Sequence, residues 1–173
     1  MGTERPIGTR RILGVDPGLN TTGYGVIDIV GGAVKLVEAG VVRSTASLTL
    51  AERVAELHEG ISDVITSLRP EAMAIEQLYS HYERPRTAIL MGHARGVLCL
   101  AAAQNGLSVH HYAATRIKKI LTGSGRATKT QMQWAICRQL GLATAPEPAD
   151  VADALAGALT HYFLSRPGSL YSA

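Results

Sequence analysis

The stretch ILGVDPGLNTTGYGV, residues 12–26, carries an apolar run into Asp16 and then turns back through Pro17, Gly18, Gly23 and Gly25. With the arginines before it, RRILGVD reads as a buried strand. GYGVIDIV and AVKLVEAGVVRS, joined at Gly31-Gly32, read as two more strands closed by a tight hairpin. The chain therefore opens antiparallel. An ionised carboxylate at the mouth of a buried strand is costly unless something compensates it, so Asp16 needs a partner that its neighbours in sequence do not supply.

Outward from this start, Leu50, Val54, Leu57, Ile61, Val64, Ile65 and Leu68 recur at helical spacing and predict an amphipathic helix over 48–68, ended by Arg69-Pro70. AMAIEQ is a short buried strand that returns to the sheet after this crossover. LYSHYERP, residues 78–85, is a polar and aromatic loop. The helix predicted over 87–105 is apolar almost all round, and its Gly92 and Gly96, one turn apart, would admit another helix. LSVHHYA supplies a fifth strand, TRIKKIL a short basic helix, GSGRATK a flexible loop holding Lys129, and residues 130–140 a further helix. The last helix, over 149–164, is entered through two prolines with acids in its first turns. These elements make one α/β domain over residues 11–165, a mixed five-stranded sheet flanked by helices, between a flexible extension (1–10) and a short tail (166–173).

At 173 residues, 46% hydrophobic and 18% charged, the chain has enough apolar surface for one core and is cramped for two. Cys99 and Cys137 show no ligand spacing and read as reduced core thiols, which points to an intracellular protein. MGTERPIGTR has no apolar leader, and VLCLAAA is too short to span a bilayer, so no membrane partner is expected. Net charge is only +3, but its distribution is uneven. Between Glu83 and Glu147 there is no acid, while Arg84, Arg86, Arg95, Arg116, Lys118, Lys119, Arg126, Lys129 and Arg138 all fall there. Such asymmetry suits a polyanion-binding face, and it equally suits a solvated helical surface whose carboxylate partners lie elsewhere in the fold.

Four acids stand out. Asp16 and Glu76 each end a buried strand, and Asp150 and Asp153, spaced i,i+3, share one face of the last helix. Singly, they read as a turn former, a strand-end charge, a helix cap and a dipole partner. Asp153 is the exception, because its neighbours Val151, Ala152, Ala154 and Leu155 leave little water around it. Together they are four hard oxygen donors suited to Mg²⁺ or Mn²⁺. Two such ions about 4 Å apart would clamp an in-line phosphoryl displacement. The glycines after Asp16 serve either as hairpin-turn residues, the role favoured for Gly18, or to let a phosphate backbone approach. No GxxxxGK[ST] run supports a P-loop.

Five motifs in order now carry a resemblance: ILGVDPGLNTTGYGVI, AIEQLY, GHARGV, LTGSGRATKTQ and ADVADALAGALTH. From about Arg11 to His161 the chain resembles the RuvC family of bacterial Holliday-junction resolvases, within the RNase H-like nuclease superfamily. The resemblance implies that Asp16, Glu76, Asp150 and Asp153 are the catalytic, metal-binding set, holding Mg²⁺ or Mn²⁺. It implies that Lys118 and Lys129 lie near the scissile phosphate, with Lys129 the catalytic candidate. Tyr79 falls where the family carries a base-stacking aromatic, usually phenylalanine, with Tyr82 beside it. Arg84, Arg86, Arg116, Lys119 and Arg126 are further expected DNA contacts. His93 stands where the family's helix motif has glutamine. Paired symmetric nicks in four-way junction DNA, in recombination and repair, are the implied activity. A homodimer built on the 87–105 helix, partnership with the branch-migration proteins RuvA and RuvB, and a place in the bacterial cytoplasm follow from the same likeness.

Two other classes compete. DPGLNTTGYG also resembles the phosphate-binding hairpin of actin-like ATPases and sugar kinases, which close two lobes over a nucleotide where this chain has residues for one. A junction-binding module without chemistry would keep the basic face and lose an acid; none is missing.

Overall fold

The computed structural model describes residues 8–78 and 85–166. Five strands, β1 (Arg10–Asp16), β2 (Thr21–Val30), β3 (Ala33–Arg43), β4 (Ala72–Glu76) and β5 (Ser108–Tyr112), form one sheet in the order β3-β2-β1-β4-β5. The first three are antiparallel, while β4 runs parallel to both β1 and β5. Gly31 and Gly32 both take positive φ (57° and 85°), as the tight β2–β3 hairpin requires. Helices α1 (Leu50–Leu68), α2 (Pro85–Gln104), α3 (Ala114–Thr122), α4 (Lys129–Leu140) and α5 (Ala149–Leu164) complete the mixed α/β fold.

The two-residue period of the strands sorts the core into two layers. Leu13, Val15, Val26, Met73 and Ile75 pack against α1 and α2 through Ile61, Ile65, Leu98 and Ala101. Ile12, Ile27, Ile29 and Ala74 face the other way, onto Val151, Leu155 and Leu159 of α5, with Ile117 of α3 and Ile136 of α4 in the same cluster. By the same alternation, Asp16 and Glu76 belong to the α5 side. From Val151 to Tyr162 every residue of α5 except Asp153 is buried, because the helix has the sheet on one side and α3 and α4 on the other. At its far end α5 is tied to β5 by Tyr112, whose hydroxyl stands 2.7 Å from His161 Nδ1. Burial holds that imidazole down to about 4, so it is neutral near pH 7.

Glycine makes this packing possible. On β1 and β2, Gly14 pairs with Gly25 and Asp16 with Gly23. A Cβ on Gly14 would overlap the backbone carbonyl of Ala154, one on Gly23 the backbone of Asp150, and one on Gly25 the side chain of Leu155. Gly23 and Gly25 are therefore neither turn residues nor a phosphate approach; they seat a helix. Gly18 is the turn glycine expected, lying against the Thr21 carbonyl.

Local signals account for the remaining differences. Thr49 caps α1 in a box with Glu52, so that helix starts at Leu50 rather than 48. Pro85 opens α2 two residues before Thr87, at the position where proline's missing N–H costs nothing. Thr128 caps α4 in a box with Gln131, which makes Lys129 the first helical residue instead of part of a flexible loop. Pro148 occupies the cap of α5, so Asp150 is a first-turn acid and not the cap. Only one face of α2 is covered: Ala94, Leu98, Ala101 and Ala102 are buried, while Ile89 is 62% and Leu100 49% exposed. Cys99 and Cys137 are free thiols and half-buried, Cys99 packed against the core between the sheet, α1 and α2. Among the described residues no helix is long and apolar enough to cross a membrane. The expected extension reaches the described chain only at its end, where Arg10 already belongs to β1 and donates to Ser165 Oγ at 3.1 Å.

Replacing Gly23 tests the helix seat. Valine favours strands, yet a Cβ here meets the Asp150 backbone, so Gly23→Val is expected to cost ~2–3 kcal/mol as overpacking. Thermal unfolding should then fall by roughly 5–10 °C; an unchanged midpoint would contradict the close packing.

Candidate active site

The last registered pair of the parallel β1–β4 ladder is Val15 with Ile75, so Asp16 and Glu76 leave the sheet side by side at its carboxyl edge. The antiparallel partner of Asp16 is Gly23, and Gly23 is where the Asp150 backbone rests. The first turn of α5 is thereby set down beside Asp16, and Asp153 follows one turn later on the same face. Asp153 is the exposed residue in the buried run Val151–Tyr162, because it looks into the cleft instead of into the core.

The four carboxylates feel one another. Burial, then the charges of Asp153, Glu76 and Asp150, push Asp16 up to about 8. Glu76 is raised by burial and by Asp153, against the opposing pull of Lys118. Although its surface reaches solvent, Asp153 is hemmed in closely enough to be raised, by burial first and by Asp150; Lys129 and Lys118 work against this shift. An acidic cluster of this kind is stabilised by a cation, and all-oxygen donors select a hard divalent one. Among the described residues no three acidic, imidazole or thiol side chains already converge at ligating distance. The carboxylates share a site by backbone placement, and side-chain rotation would close them on an ion.

Two cavities meet at this edge. The larger, about 600 Å³, runs from Asp16 and Glu76 past Leu78 and Met91 to Arg95 and Thr115. The smaller, about 330 Å³, brings Glu76 and Asp153 together with Lys118 and Lys129 over an apolar floor of Ile117, Met132 and Ile136. Glu76 lines both.

Both lysines singled out in the sequence thus face the acids, from α3 and from the first turn of α4. Arg86, Arg116, Lys119 and Arg126 are exposed and line neither cavity. Tyr79, Tyr82 and Arg84 lie outside the described residues. Arg95, one of the basic residues between Glu83 and Glu147, has a place at the site that its position in the sequence does not show. Its Nε donates to the Glu76 carbonyl at 3.2 Å and a terminal nitrogen bonds His111 Nδ1, so it braces the end of β4 and walls the larger cavity. An arginine inside an otherwise apolar helix was the available signal.

Comparison with known proteins bears on this geometry. The family profile described as crossover junction endodeoxyribonuclease RuvC matches residues 12–161. A relative of that name from Rhodopirellula baltica is 57% identical over 166 residues, which cover 95% of this chain and 93% of the relative. The solved structure of Thermus thermophilus RuvC superposes with a TM-score of 0.85 at 34% identity, over 92% of this chain and 97% of that one. The same organism's RuvC in complex with Holliday junction substrate gives 0.84 at 35%, with the same coverage. A match that runs through all four acids and nearly the whole chain settles the kinship: the protein belongs to the RuvC family of crossover junction endodeoxyribonucleases.

Proposed function

We propose that this chain is a structure-specific nuclease that resolves four-way DNA junctions by paired, symmetric phosphodiester hydrolysis, in recombination and repair. The observation that carries the reading is the convergence of Asp16, Glu76, Asp150 and Asp153 on one cleft edge, faced by Lys118 and Lys129. Those four carboxylates would hold the divalent cations, Mg²⁺ or Mn²⁺, two per site. Bound there, such ions supply Lewis-acid activation of water and charge compensation at the leaving oxygen.

The chain's own groups supply the rest. Lys129 and Lys118 hold the non-bridging oxygens of the scissile phosphate and offset charge that grows as the phosphorus is attacked. The apolar floor of Ile117, Met132 and Ile136 keeps the region beneath the phosphate dry, which strengthens those contacts. A nucleotide adjoining the scissile bond fits the larger cavity, where Arg95 holds the end of β4 in place. Tyr79 and Tyr82 are assigned to base stacking from the sequence alone, and the exposed basic residues of α2, α3 and the 123–128 loop to phosphate contacts that make binding salt-sensitive.

Symmetric nicking needs two equivalent sites. The uncovered face of α2, with Ile89 and Leu100 exposed and nothing within 4 Å of where a Cβ on Gly96 would sit, suits a two-fold helix contact in a homodimer. Work beside RuvA and RuvB in the bacterial cytoplasm completes the proposal.

Incubation of end-labelled four-way junction and matched linear duplex with Mg²⁺, Mn²⁺ or EDTA tests the chemistry. Metal-dependent nicks confined to the junction are expected. Asp153→Asn should lower their rate by more than about 100-fold while binding persists, and Lys129→Ala should slow single turnover by roughly 100-fold. Cutting of linear duplex at the same rate, or full activity in Asp153→Asn, would overturn the reading.

Light scattering checks the assembly. A two-chain mass is expected for the unaltered protein and a one-chain mass for Gly96→Glu, whose side chain the isolated fold accommodates; a one-chain mass for the unaltered protein at working concentration would refute the dimer.

A further inference from the structure

Helix α4 has two working faces. Lys129, Met132, Gln133 and Ile136 turn toward the catalytic cleft. Trp134 and Arg138 turn away from it and line a separate groove of about 510 Å³, bordered by Thr122, Ser124, Thr130 and Gln131. Trp134 is the chain's one tryptophan, and it is 66% exposed. The Arg138 guanidinium sits over it, 5.7 Å from the ring centre. An indole left in water with a cation stacked on its face is a common element of recognition surfaces, where ring and charge act together.

The groove's chemistry narrows what it takes. Arg138 is the charged residue in its lining, and no acid occurs between Glu83 and Glu147 in the sequence. Gln131 commits its carbonyl oxygen to the Thr128 N–H at 2.8 Å, which leaves its amide N–H groups to donate. With the Thr122 hydroxyl committed to the Lys118 carbonyl at 2.7 Å, the border offers the Ser124 and Thr130 hydroxyls, amide donors, one guanidinium and an aromatic face. A sugar-phosphate backbone is bound by this set: phosphate oxygens accept from the donors and the deoxyribose lies against the ring. From Lys129 to Arg138 the helix rises only roughly 13 Å, so one DNA arm can meet both faces.

The geometry points to the Trp134–Arg138 groove as a second DNA-contact surface, which takes the backbone of a junction arm beyond the scissile phosphate. This rests on the junction-nuclease reading and extends it to a site distinct from the acidic cleft.

The single tryptophan makes the test direct. A four-way junction assembled from oligonucleotides is titrated into the full-length Asp153→Asn protein, and tryptophan emission and gel mobility are followed together. Emission is expected to change and to saturate at the junction concentration that completes the mobility shift. Arg138→Gln is expected to raise the Kd about fivefold and to reduce the slope of log affinity against log salt by about one. A complete mobility shift with unchanged emission and an unchanged salt slope would overturn the groove while leaving the nuclease reading intact. Emission that changes with protein concentration in the absence of DNA would identify a protein contact and overturn it as well. No junction binding at all would remove both readings.

Discussion

The site depends on how closely a helix can approach a sheet. Helices and sheets ordinarily meet through a layer of side chains, but α5 rests against bare backbone at Gly14 and Gly23. Because Gly23 is paired with Asp16, the closest point of that approach sits next to the first acid of the cluster, and the first turn of α5 delivers Asp150 there. Asp153 follows from the helical repeat and Glu76 from the parallel register of β4. One close packing and one strand register thus gather four carboxylates from three elements at one end of the sheet.

Such a gathering works against the stability of the metal-free fold. Asp16 is raised mainly by burial and further by three like charges, and no cation among the described residues is paired with it directly; Lys118 and Lys129 act on Glu76 and Asp153. The lysines therefore relieve the rim of the cluster and leave its inner member uncompensated. This division suits the proposed nuclease chemistry, in which the inner carboxylate would take divalent ions and the rim lysines the substrate phosphate. It also gives the aspartate at the mouth of a buried strand a part in the proposed function: the partner it lacks among the protein's own cations would be a divalent ion.

Much of this was legible in the sequence. The apolar runs of RRILGVD and AMAIEQ, each ending at an acid, and the i,i+3 spacing of Asp150 and Asp153 identify the acids, and the resemblance to resolvases joined them into a site. The role of Gly23 and Gly25 was not legible, because a glycine that seats a helix and one that makes a turn look alike until cross-strand pairing is known. Arg95 was hidden for a similar reason: its contact is with a backbone carbonyl 19 residues away, and backbone acceptors leave no signature in side-chain identity. The start of α4 at Lys129 was there to be read in Thr128-Lys129-Thr130-Gln131, a capping box that the surrounding glycines disguised as loop.

The claim that packing buries the Asp16 carboxyl among like charges with no compensating cation is tested most directly by thermal stability against pH, in EDTA and in saturating Mg²⁺. With its folded value raised to about 8 from an ordinary 3.8, Asp16 keeps in the native state a proton that the unfolded chain has released. Its contribution to stability is thus full below about pH 4 and is lost as pH climbs toward 8, by up to about 1.4 kcal/mol per pH unit. The midpoint in EDTA should fall between pH 5 and pH 8, the fall should shrink in Asp16→Asn, and Mg²⁺ should restore stability at pH 8. A flat profile in EDTA that neither Asp16→Asn nor Mg²⁺ alters would contradict the account.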